Sequence, residues 1–172
     1  DGVEHHREYF TSFGRSVLTA RYTTTAATEY EVSLSRPECA TIKAWSNTPE
    51  VGLISIEGEL ESGSDKEGVS YYGQLVIETD GCVSVEGDCL RVSDATEVEF
   101  YFNAKTSYNS HKPKYIVQHL MIEDGAYRAQ LNDFGKLRDE HVDIYRSMFD
   151  RVEIELGEQR LDIPTDRRLA EY

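Results

Sequence analysis

Up to Tyr108 the chain is a succession of short runs that alternate apolar and polar residues. Turn residues break these runs about every 10 positions. Alternation by twos sends successive side chains to opposite faces of a strand, so each run has one face fit for a core. Glu97 to Asn103 alternates most cleanly, with Val98, Phe100 and Phe102 expected inward and Glu97, Glu99 and Tyr101 outward. Many short strands separated by turns predict a mainly β chain folded as an antiparallel β-sandwich. No internal repeat is visible in the sequence.

Taken in order, Val3 to Phe13 and Ser16 to Thr24 predict a hairpin around Phe13-Gly14-Arg15. Tyr30 to Ser35 is a further strand, stopped by Pro37. Thr41 to Trp45 is short and leads into a loop at Asn47-Thr48-Pro49. Val51 to Glu61 and Val69 to Thr79 flank Glu61 to Gly68, the passage most like a mobile tip. Asp80-Gly81 is a turn dipeptide. Cys82 to Val85 then pairs with Cys89 to Val92 around Gly87, with Val85 facing Cys89 and Cys82 facing Val92. Asn109 to Pro113 is a loop, and Tyr115 to Met121 is apolar without a clear period. From Ala126 to Phe149 the period changes to that of a helix, along Leu131, Phe134, Leu137, His141, Tyr145 and Met148. Gly135 weakens that helix by about 1 kcal/mol relative to alanine. Val152, Ile154 and Leu156 alternate as a short return strand that ends at Gly157. The chain divides into a sandwich portion (1–108), a linker helix with its return strand (109–157) and the start of a linker (158–172), where Leu169 and Tyr172 open another element.

Charge narrows the partners. The chain has 32 acidic and 18 basic residues, a net charge of −14. Binding phosphate needs a basic face, so neither nucleic acid nor an anionic membrane is an expected partner. No apolar run approaches the roughly 20 residues of a membrane span. The chain starts at Asp1 with no signal segment behind it, which predicts a processed product or a piece of a longer parent whose location is not readable. Cys39, Cys82 and Cys89 are odd in number and lack metal spacing. They are expected as free, buried or half-buried thiols, without an 82–89 disulfide, which leans toward a reducing, cytoplasmic setting.

The chemistry-bearing residue types form no recognisable site. Glu59 with Glu61, Glu97 with Glu99 and Glu153 with Glu155 sit two apart, about 7 Å on one strand face by the strand rise. Each pair is expected on a solvated face, and none is embedded in apolar sequence as a catalytic acid would be. His5, His6, His111, His119 and His141 make no zinc motif; His141, on the helix stripe, is expected to be packed. Tyr71, Tyr72, Tyr101 and Trp45 are candidate platforms for stacking a sugar, weighed against the ordinary role of aromatics packing a sandwich edge. The sequence therefore assigns no catalytic, cofactor-binding or metal-ligating residue and implies no cofactor.

The stretch from His141 to Leu169 carries a resemblance. His141, Tyr145, Phe149, Arg151 and Val152, then Ile154, Leu156 and Gly157, then Pro164, Thr165, Asp166, Arg167 and Leu169 follow a family's His-x-x-x-Tyr-x-x-x-Phe-x-Arg-Val helix, Leu-x-Leu-Gly strand and Pro-Thr-Asp-x-Arg-Leu run. Arg7-Glu8-Tyr9-Phe10-Thr11-Ser12 and Ala104-Lys105-Thr106-Ser107-Tyr108 match two of its strands in the same order. The chain thus resembles the family-95 glycoside hydrolases, the α-L-fucosidase group. The resemblance implies an incomplete super-sandwich and a linker helix leading to an (α/α) barrel catalytic domain of the same parent chain. In that family the catalytic glutamic acid and the asparagine-assisted water of an inverting reaction lie in the barrel, so this chain by itself is expected to be inactive. The family also has strands before the Arg-Glu-Tyr-Phe segment. Without one, Val3 to Phe13 is an open edge, which predicts self-association. Two other readings stand beside this one: a carbohydrate-binding module acting alone, and a purely structural sandwich.

Overall fold

The computed structural model describes residues 2–38, 40–61, 68–111, 133–154 and 163–170. Among these residues seven strands form one antiparallel sheet: β1 (His5–Ser12), β2 (Val17–Val32), β3 (Thr41–Thr48), β4 (Val51–Leu60), β5 (Val69–Thr79), β6 (Cys82–Glu86) and β7 (Cys89–Thr106). Among the described residues two helices follow, α1 (Phe134–Phe149) and the short α2 (Thr165–Ala170). The strand order is β1-β2-β7-β5-β4-β3, and β6 pairs with β7 off that path.

Two strands are much longer than their sequence pattern. β2 unites the expected Ser16–Thr24 and Tyr30–Ser35 runs, and β7 unites Cys89–Val92 with Glu97–Asn103. The register of β2 on β7 shifts between Thr23 and Thr28 and again before Tyr30, and Asp94 has φ 55°. A bulge turns a strand without ending it, so these residues read as breaks in the sequence while the chain runs on. The first half of β7 pairs with β6 and the far end of β2; its second half pairs with the start of β2 and with β5.

The bend folds the sheet over itself. β6 packs against β3 and β4, and Val83 N donates to Pro49 O at 2.6 Å. Ile54, Leu75, Ile77, Leu90, Val92, Ala95 and Val98 fill the space between the layers. The sandwich is therefore one continuous sheet. Gly52 sets its thickness at one point: a Cβ there would lie 2.7 Å from Leu90 Cδ1 and 2.8 Å from Val83 Cγ1.

The outer face of the central strands is also apolar. Val17, Leu53, Val76 and Tyr101 pack there with Leu137 of α1, flanked by Phe10, Trp45 and Val51. This corrects the expected orientation of β7: Glu99 is 8% exposed and Tyr101 fully buried. Alternation separates two faces but does not say which one is wet. Here both are covered.

Local outcomes follow from turn chemistry. The first hairpin forms as expected, with Ser12 opposite Val17 and Ser16 N donating to Ser12 O at 3.0 Å. The β6–β7 pairing lies one residue from the expected register, with Val85 opposite Leu90 and Cys82 opposite Ser93. Its turn is the two-residue Gly87-Asp88, with Gly87 at φ 64°. Cys82 is an exposed free thiol and Cys89 a half-buried one; Cys39 lies outside the described residues. β3 continues to Thr48 through an irregularity after Ser46, so the loop is shorter than expected. α1 starts at Phe134, capped by Asp133 Oδ1 accepting from Gly135 N at 2.9 Å. The expected helical residues 126–132, the Glu61–Gly68 tip at 62–67 and the Tyr115–Met121 segment lie outside the described residues. Val152 to Ile154 form no strand and are exposed; Leu156 and Gly157 are outside the described residues.

Candidate functional site

Sheet register builds one row of charge under α1. Glu8, Arg21, Glu99 and Glu78 lie side by side across β1, β2, β7 and β5. Arg21 Nε donates to Glu99 Oε1 at 2.9 Å, and its Nη2 donates to the same oxygen. Glu97 Oε2 is 3.7 Å from the guanidinium, which lies 4.2 Å over the Phe134 ring. Tyr101 donates its hydroxyl to Glu99 Oε2 at 2.5 Å. Burial alone would lower the pKa of Arg21, but the hydrogen bond and charge of Glu99, with Glu97 behind it, hold it above its ordinary value. Burial, then the Glu99 bond, push the Tyr101 phenol far above its usual range.

An open cleft of about 580 Å³ adjoins this row, lined by Arg21, Glu78, Thr79, Asp80, Glu97, Glu99 and Asp133. Asp80 closes one side. Its Oδ1 accepts from Thr96 N at 2.9 Å and Glu97 N at 2.8 Å, and its Oδ2 accepts from the Thr96 hydroxyl. Burial would raise the Asp80 pKa, yet these bonds outweigh it and hold the carboxyl below its ordinary value. The amides it takes lie in β7 just past the bulge, so Asp80 fixes the bend of the sheet.

General acid catalysis needs a carboxyl able to turn toward substrate. Glu99 and Asp80 have both oxygens engaged within the fold. The arrangement is suited to bracing the sheet. Among the described residues no group of histidine, cysteine, aspartate and glutamate is placed to hold a metal ion.

The residues singled out from sequence are scattered. Tyr101, a candidate sugar platform, is a core residue. Arg36 covers the Tyr71 ring at 4.4 Å, and Tyr71 donates its hydroxyl to Glu38 O at 3.3 Å. Tyr72 and Trp45 are half-buried, Trp45 against the Val17 core. Glu59 accepts from Gly68 N at 3.0 Å. The Glu97–Glu99 pair is not a solvated face, because Glu99 is buried. Glu153 is exposed outside any strand, and Glu155 lies outside the described residues. His141 packs between Phe10 (5.2 Å) and Tyr145 (6.0 Å), while His119 is outside the described residues. Sequence reasoning missed the Arg21–Glu99–Tyr101 unit. Arg21 among threonines and alanine was the available signal, but its partner depends on register.

Fold and cluster define a β-sandwich domain with a helix laid across its outer face. The sequence model of one family, described as "Glycosyl hydrolase family 65, N-terminal domain", matches residues 1–111. The chain belongs to that family of glycoside hydrolase N-terminal domains. None of the curated proteins matches the chain.

Proposed function

We propose that the chain is the supporting N-terminal domain of an α-L-fucosidase-like glycoside hydrolase and docks on that enzyme's helical-barrel catalytic domain. The family match supports the general class, and the motif order from Arg7 to Leu169 supports the fucosidase-like reading. The observation that carries the docking role is the split character of α1. Phe134 and Leu137 are buried on the sheet, whereas Tyr145, Met148 and Phe149 on the same stripe are exposed. Val152 and Ile154 extend that surface at 71% and 75% exposure. His141, Tyr145 and Phe149 stack at 6.0 and 5.5 Å, a preformed aromatic ridge. A ridge of this kind suits burial against another domain better than water.

Reading the parent gene past Tyr172 tests this. A long run of helical hairpins with a glutamate embedded in apolar sequence is the expected result; a stop codon there would overturn it. The purified chain should not hydrolyse an aryl α-L-fucoside. Sugar binding by the chain that is lost in Trp45→Ala would establish the carbohydrate-binding module instead.

A further inference from the structure

The grip of α1 on the sheet changes along its length. Phe134 and Leu137, in its first turn, are buried. The next turn is held by charge. Arg138 Nε donates to Glu8 Oε1 at 2.5 Å, and Arg15 Nε and Nη2 donate to the two oxygens of Glu140, both at 3.4 Å. Between these pairs the His141 ring lies 5.2 Å from that of Phe10. Beyond it Tyr145, Met148 and Phe149 are exposed. At about 100° per residue, Arg138 and Glu140 project about 80° to either side of the line midway between Leu137 and His141, the line that faces the sheet. The two pairs have opposite polarity. On one flank the helix supplies the cation and β1 the anion; on the other the helix supplies the anion and the β1–β2 turn the cation. A helix laid down with its flanks exchanged would set Arg138 against Arg15 and Glu140 against Glu8, like charge against like.

We propose that Arg138–Glu8 and Arg15–Glu140 form an ionic latch that sets the roll of α1 on the sheet. Released, the helix from His141 onward turns and lifts while its first turn stays anchored. Burial of Phe134 and Leu137 draws the helix down but leaves it room to roll, because apolar contact has no direction. His141 Nδ1 is buried without a hydrogen-bond partner, so that edge of the imidazole adds no directional bond either. The flanking charges supply the direction. Their four side chains are 34% to 48% exposed, so each pair contributes little energy and stands open to screening by salt. The role of the latch is therefore aim: it decides which way Tyr145 and Phe149 face. What that aim serves rests on the docking role proposed above. The latch itself acts within this chain alone, so its failure and the failure of the docking role give different results.

The test is NMR on the full chain, reading the Overhauser contact between the ring protons of His141 and Phe10. Raising salt to about 1 M, where charges are screened beyond about 3 Å, should weaken that contact by about twofold or more while the sheet amide signals stay in place. Arg138→Glu and Arg15→Glu, each of which sets like charges together, should weaken it to a similar degree at low salt. Arg15→Glu combined with Glu140→Arg restores the pair with its polarity reversed and should bring the contact back. A contact unmoved by salt and by both single substitutions would overturn the latch. So would a combined exchange that keeps the sheet signals but leaves the contact weak. Sheet amides separate loss of the latch from loss of the fold, and where a variant unfolds the salt series on the unaltered chain decides.

Discussion

Glu99 gives one oxygen to Arg21 and the other to Tyr101, which makes three side chains from two strands a single unit. Glu99→Ala leaves a guanidinium and a buried hydroxyl without their acceptor, and urea unfolding should show a loss of about 2–4 kcal/mol. Tyr101→Phe removes one bond and should cost about 1–2 kcal/mol. The phenol also predicts a pH effect. Its folded pKa is raised, so its contribution is fully present below the unfolded value of 10.0 and is lost as pH rises above it. Stability should fall in alkaline titration, and Tyr101→Phe should show a shallower fall. Tyr22, raised by its bond with Tyr9, keeps part of the slope. The same residues mark where the sequence stops being legible. Glu97, Glu99 and Tyr101 alternate with Val98, Phe100 and Phe102, so their common face was plain. That α1 covers this face depends on Phe134 and Leu137, a distant segment whose docking no strand pattern encodes.

Among the elements, hairpins announced themselves and bends did not. Gly14 and Gly87 mark real turns, though the two-residue turn at Gly87-Asp88 moved the pairing by one position. The breaks read near Ala26 and Asp94 are bulges in two strands that keep going. Asp80 holds that bend through two backbone amides and a hydroxyl. Asp80→Ala should cost about 1–3 kcal/mol in urea unfolding, a range set by leaving those donors to water. Its pKa is lowered from the ordinary 3.8, so this stability is present above that value and is lost as pH falls through the depressed one. An acid titration of Asp80→Ala should lack that part of the loss.

For the molecule as a whole, the two layers leave no room for a side chain at Gly52. Gly52→Ala pushes Leu90 and Val83 apart and should cost about 1–3 kcal/mol by overpacking, measured as a shift in the unfolding midpoint. The exposed ridge of α1 belongs to this scale too: Tyr145→Ser with Phe149→Ser should reduce binding of a hydrophobic dye without changing the unfolding free energy by more than about 1 kcal/mol. Continuity of the sheet has a mechanical consequence. β2 and β7 run through both layers, so the sandwich cannot part like two covers of a book. Tension applied to one layer passes straight along two backbones into the other, and the corner at Asp80 is where the molecule would flex before it yields.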